Sequence, residues 1–172
     1  MSSRITYTPG GADDNCYTTL ALADAYFADD LREEDWSASE DDRRERALIS
    51  ATRVIEGLGG DRRTADSPAR ALFPGEPYVD TQALHFPIGD GSDPLAVPAN
   101  VQEAVCEQAL WMMQQKDAPP LLDHAGNQQA GIGSLSLDGI SVNYKGGGVP
   151  PGVAPEAWKR MESYVQTTWG TA

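Results

Sequence analysis

Few residues in this chain could do covalent or metal chemistry. Its 172 residues include two histidines, His85 and His124, and two cysteines, Cys16 and Cys106. A zinc centre needs three or four His, Cys or carboxylate ligands at short spacings. Neither histidine has a second His or a Cys at such a spacing, so no metal and no other cofactor is expected. The phosphate-cradling GxxxxGK[ST], the dinucleotide loop GxGxxG and the nucleophile elbow GxSxG are absent. Carboxylates are plentiful, but abundance on a charged surface is not a catalytic pair. These residue types point away from an enzyme and towards a binding or structural role.

The residues best suited to contact are aromatic and apolar. Trp158, Met161, Val165 and Trp169 follow one another at steps of three, four and four, with Tyr164 adjoining. That spacing predicts an amphipathic helix over 154–169. Pro155 suits its first turn, and residues 146–152 precede it as a linker, flexible at the glycines and stiffer at the prolines. Such a helix either closes the core or docks on a partner. A second contact surface is expected from residues 134–144. Asp138-Gly139 between alternating residues specifies a two-residue hairpin turn. The register would gather Leu135, Leu137, Ile140, Val142 and Tyr144 on one face, and that face must rest on the helices or on another subunit. Phe73 and Phe86, each set before a proline, are further candidate subunit contacts.

These pieces need a frame to hold them. Residues 101–115 read as a helix apolar on more than one side. Val101, Ala104, Val105, Ala109 and Met112 form one stripe and Cys106, Leu110 and Met113 a second, while Gln102, Glu103, Glu107, Gln114 and Gln115 are expected in water. Asn100 is the expected N-cap. The breadth of this helix predicts that a hairpin or a neighbouring subunit covers its second stripe. A first helix is expected over 18–30, capped by Thr18 or Thr19, with Leu22, Ala25, Tyr26 and Asp29 at helical spacing. Another follows a Ser37 or Ser39 cap and runs to Leu58, with Ala47, Leu48, Ala51, Val54, Ile55 and Leu58 as its stripe. Gly59-Gly60 ends it. Residues 1–16 read as an arm and 59–98 as a long Pro- and Gly-bearing loop. The fold class is therefore mainly α: a single domain over 1–172, built from a bundle of about four helices with one β-hairpin.

Charge narrows the partners. Thirteen basic residues face 26 acidic ones, a formal net charge of −13. Between Asp29 and Arg46, nine acidic residues stand against four arginines, around a lone Trp36. The plain reading of this run is a solvated helix face. Gripping a nucleic-acid backbone takes clustered Lys and Arg, so the balance argues against strong nucleic-acid binding and against anionic membranes. No apolar run follows Ser3-Arg4 and no stretch nears ~18 apolar residues, so neither a secretory signal nor a membrane span is expected. The two cysteines are expected reduced and inert.

The order of pieces carries a resemblance. It rests on Tyr17 to Phe27, Trp36, Arg46 to Ile55, Gln82 to Pro87, Val97 to Leu110, the Ser–Leu hairpin and the Trp158 helix. This layout, over most of 17–168, resembles the head–tail connector (adaptor) proteins of tailed phages, some of whose members carry the description DnaT-like single-stranded DNA-binding. The resemblance implies a helical bundle with a hairpin, assembled as a homo-oligomeric ring, usually twelve-fold, beneath the portal protein. Such a ring joins the portal to the stopper or tail proteins in the virion neck, after assembly in the host cytoplasm. DNA passes through its channel without specific binding. The Trp158 helix would then meet the portal or tail. This chain departs from the pattern in its longer loop with two Leu/Phe-Pro elements, and in Ile88 where members often carry a basic residue. The alternatives are a single-stranded DNA-binding module and another tail-completion protein.

Overall fold

The computed structural model describes residues 3–58, 81–88, 96–115, 134–137, 140–143, 149, 152–161 and 164. The protein is mainly helical, with five helices among these residues: α1 Leu20–Phe27, α2 Glu33–Ser37, α3 Asp41–Leu58, α4 Ala99–Gln115 and α5 Pro155–Met161. Helices α3 and α5 pack along α4, and the short α1 and α2 close one side. The core formed there includes Tyr17, Phe27, Trp36, Leu48, Ile55, Val101, Leu110 and Met161.

Helix α4 is the centre, as its sequence predicts, but its details differ. It begins at Ala99, and the Pro98 carbonyl accepts the Val101 and Gln102 amides, so Asn100 lies inside the helix and is not its cap. The second apolar stripe is buried within one chain, with Cys106, Leu110 and Met113 at most 7 % exposed, and the first is buried except for the half-buried Met112. No neighbouring subunit is needed to cover them. Glu107, expected in water, is 4 % exposed. It is buried because α1 and α2 bring it a cation and a hydroxyl, as described below.

Helix α1 is shorter than expected and starts at Leu20, with Thr19 as the cap that accepts the Leu22 amide. Its inward residues are Ala23 and Phe27, while Leu22 faces solvent. Helix α2 sits inside the acidic run and exists to bury Trp36. The indole packs on Phe27 (4.9 Å between centroids), donates to Asp24 at 2.7 Å and has the Arg44 guanidinium over its face. In α3 the expected stripe holds for Ala47, Leu48, Ala51 and Ile55; Val54 and Leu58 are half-buried, and Glu45 and Thr52 are buried beside them.

Residues 3–8 are not a strand. They lie along the body, held by side chains from elsewhere. Glu45 accepts from Ser3 Oγ and the Arg4 amide, Asn15 from the Thr6 amide and Asp14 from the Thr8 amide. Of the long loop, residues 81–88 are described. The Gln82 Nε2 donates to the carbonyls of Leu84, His85 and Pro87 at 2.7–3.1 Å, curling the segment around one side chain. The Phe86–Pro87 bond is cis.

Residues Ser134–Leu137 (β1) and Ile140–Asn143 (β2) pair antiparallel, with Leu135 opposite Val142 and Leu137 opposite Ile140. Residues 138 and 139 and the side chains of both strands lie outside the described residues. No hairpin face is therefore placed against the body, and the established fold is the helical one.

Candidate functional site

One open groove is lined by side chains of α3 and α4. Arg43, Arg46, Ala47 and Ser50 form one wall, and Met112 and Met113 the other, around a cavity of about 280 Å³. Helical spacing explains the first wall, since residues 43, 46, 47 and 50 share a face of α3. The second wall arises because two methionines in succession spill from the buried stripe of α4 to its rim: Met113 is 7 % exposed and Met112 half-buried.

Arginines line one wall. Arg46 is 63 % exposed and pairs with Asp42 at 2.7 Å, one helical turn back. Arg4 pairs with the same carboxylate. Arg43 reaches the Met113 carbonyl at 3.5 Å. Arg4, Arg43 and Arg46 thus gather near the groove, among the acids Asp41, Asp42 and Glu45 of the first turns of α3. The cavity falls just short of the roughly 300–1,000 Å³ that small-molecule sites occupy. Two guanidiniums over thioether side chains suit an anionic group attached to something flat or apolar.

A second polar constellation lies on another side of α4. Glu107 accepts from Arg32 at 2.6 and 2.9 Å and from the Tyr26 hydroxyl at 2.6 Å. Burial pushes the Glu107 carboxyl up, but these hydrogen bonds outweigh it and hold the group below the usual glutamate range. Arg32 also grips Asp30, whose carboxyl its hydrogen bonds lower to about 2. Burial, then Glu107, raises the Tyr26 hydroxyl well above the usual tyrosine value. Arg160 of α5 adds a bond to Tyr26 at 3.3 Å and pairs with Glu103. Every member has its partners, so this network ties α1, α2 and α5 to α4 and offers no reactive group.

A third cluster fixes the loop. The Tyr17 hydroxyl donates to Glu56 and accepts the amides of His85 (3.0 Å) and Phe86 (3.2 Å). The Cys16 and Cys106 thiols are buried and unbridged, and burial pushes both up, which keeps them protonated as expected. No group of residues that could hold a metal ion occurs among the described residues. No described helix is long and apolar enough to cross a membrane.

The residues singled out from sequence are not brought together. Met161 is fully buried where α5 packs on α4. Trp158 and Tyr164 are half-buried beside it. Phe86 is 2 % exposed in the single chain, packed edge-on against Tyr17 (5.7 Å) and Tyr164 (5.6 Å), and so has no surface to offer a second subunit. Leu135, Leu137, Ile140 and Val142 are placed by backbone alone. Phe73, Tyr144, Val165 and Trp169 lie outside the described residues. The groove was missed. Its signals were the adjacent Met112 and Met113 at the end of α4, and arginines three apart in a run dominated by acids.

With the geometry in place, comparison with known proteins gives one finding. The model of the family described as "Putative DnaT-like ssDNA binding protein" matches residues 5–167, and the chain belongs to that family. Neither the comparison with curated proteins nor that with solved structures returns a match.

Proposed function

We propose that this member of the DnaT-like family binds single-stranded DNA, and that the groove of Arg43 and Arg46 over Met112 and Met113 is the contact. The family match carries the reading. The groove supplies what it needs: guanidiniums for two phosphates, and polarizable thioethers against which an unstacked base can lie. The acidic body limits the contact to this face, because elsewhere it repels a phosphate backbone. Binding is therefore weak and shallow in its salt dependence. Neutralising two phosphates of a single strand gives a slope of about −1.4 in log K against log salt. Titration of a fluorescent oligonucleotide at several salt concentrations tests this. Binding with that slope, lost in the Arg43→Ala, Arg46→Ala double variant, supports the reading. No binding at low salt, or binding indifferent to the double variant, rejects it.

A second reading is favoured by the net charge of −13. A wall of one sign lets duplex DNA pass without trapping it, as a head–tail connector subunit beneath a phage portal must. Under it the chain is a virion neck component, made in the host cytoplasm, whose partners are its own copies, the portal and a tail or stopper protein. Native mass spectrometry with a portal protein tests it: a complex of several copies supports it, and persistent failure to associate rejects it. Neither reading calls for catalysis or a cofactor.

A further inference from the structure

We propose that Arg4, which does not line the groove, sets how freely Arg46 can meet an anion there, through a carboxylate that the two arginines share; this role rests on the groove's being the DNA contact. Arginines and acids adjoin on the first turns of α3, so the outcome depends on which acid holds which arginine. Asp41 pairs with Arg44. The buried Glu45 accepts from Ser3 Oγ at 2.7 Å and from the Arg4 amide at 2.9 Å. Asp42 is divided: its Oδ1 accepts from Arg4 Nε, and its Oδ2 from a terminal nitrogen of Arg46 at 2.7 Å. Arg46 Nε donates to the Asp42 backbone carbonyl at 3.2 Å. Asp42 is thus the one carboxylate bonded to Arg46 among the described residues.

Arg4 is held in place for this. Its amide donates to Glu45 and its carbonyl accepts from Asn15 Nδ2 at 2.9 Å, so the backbone is fixed from both sides while the side chain reaches Asp42. Asp42, Glu45 and Arg46 stand three and four residues apart and share a face of α3. With Arg4 on one oxygen, Asp42 offers Arg46 only the other, and the three side chains together carry one positive charge. Without Arg4, both oxygens are open to the guanidinium fork of Arg46, which matches a carboxylate bidentately. That pair is neutral, and a phosphate must displace a carboxylate to reach Arg46. Arg46 is 63 % exposed, whereas Arg43 is half-buried and turned to the Met113 carbonyl, so Arg46 is the arginine that an anion meets first. Arg4 is therefore a positioning residue, acting through Asp42 and Arg46. The three side chains are 36–63 % exposed, so water limits the effect to about two- to fivefold in affinity.

Two measurements on the full chain test this. Arg4→Ala keeps both backbone bonds of residue 4, so the segment stays on α3. Titration of a fluorescent single-stranded oligonucleotide at low salt should show Arg4→Ala weaker than wild type by about two- to fivefold. Asp42→Asn, which removes the competing charge, should bind at least as tightly as wild type. In the Asp42→Asn background, Arg4→Ala should cost less than it does in the wild-type background. An equal loss in the two backgrounds would put Arg4 on the DNA itself and overturn the proposal. The second measurement needs no DNA. Phenylglyoxal modifies accessible guanidiniums, and mass spectrometry of the digested protein reads the rate at Arg46. Arg4→Ala should slow that rate by about two- to fivefold, and Asp42→Asn should raise it. An Arg46 rate indifferent to Arg4→Ala would overturn the proposal even where the oligonucleotide binds, and would leave the DNA reading standing. A slowed rate with no oligonucleotide binding in any variant would keep the hold of Arg4 on Arg46 and remove the DNA reading.

Discussion

The side-chain amide of Gln108 is bonded to the backbone of Ala154. Its Oε1 accepts the Ala154 amide at 2.7 Å, and its Nε2 donates to the Gly152 carbonyl at 3.0 Å. Gly152 has φ = +80°, a conformation that L side chains rarely adopt, and it turns the chain so that Val153, Ala154 and Ala157 reach α4. Gln108→Ala leaves the buried Ala154 amide without a partner. It should cost roughly 1–3 kcal/mol of stability, read from the urea unfolding midpoint. A midpoint unchanged from wild type would mean that α5 holds its place without this clasp.

Met161 provides a sharper view of the same helix. It is fully buried, whereas Trp158 is only half-buried. Met161→Ala should cost about 2–5 kcal/mol, as large-to-small changes in a core do. Trp158→Ala should cost less despite removing a larger side chain. Chemical denaturation of both variants checks the order. The reverse order would put the tryptophan and not the methionine at the root of the helix.

The Glu107 network makes stability depend on acid. Its carboxyl is lowered in the folded chain, so the unfolded chain binds the proton more readily. The contribution is complete above the ordinary value of 4.5 and is lost as pH falls through the lower, folded value. Wild type should therefore lose stability steeply below about pH 4.5. Glu107→Gln should start lower at pH 7 and lose less over the same interval. Parallel curves for the two proteins, from urea unfolding at a series of pH values, would remove Glu107 from the acid response.

Tyr17 anchors the 82–87 segment through one oxygen. Tyr17→Phe removes a hydroxyl that accepts the amides of both His85 and Phe86. Hydrogen exchange across the segment should accelerate by the equivalent of about 0.5–1.5 kcal/mol. Unchanged exchange at both amides would mean that the segment holds its place without the Tyr17 hydroxyl.

Periodicity was a good guide where burial is apolar. The stripes of α3 and α4 were readable because Leu48, Ile55, Val101, Val105 and Leu110 stand at helical steps and are buried as they should be. It failed where a polar residue is buried by a distant partner. Nothing near Glu107 in sequence announces Arg32, which is 75 residues away. Helix α2 is only five residues long, too short to show a period, and its one sign was the lone Trp36. Phe86 shows a related effect. An aromatic before a proline in a loop reads as an extended apolar anchor, and nothing near it in sequence announces Tyr17, 69 residues earlier, which is folded against it. The groove combines residues from two helices whose separation in sequence hides their adjacency, so only its methionine pair was visible beforehand.

The ties across the body also set an order of events in time. Gln102 bonds the Tyr7 hydroxyl over 95 residues, and Arg160 reaches Tyr26 over 134. Contacts so distant along the chain are slow to form, because the intervening polymer must first be brought together. At about 5–20 residues per second, Tyr26 leaves the ribosome roughly 7–27 s before Arg160 does. For that interval α1 lacks α5, and for roughly the last 2–9 s of it, once Gln115 has also emerged, α4 stands with its apolar side uncovered. The nascent chain is thus prone to sticking to other molecules just before α5 arrives, and α5 closes the described core.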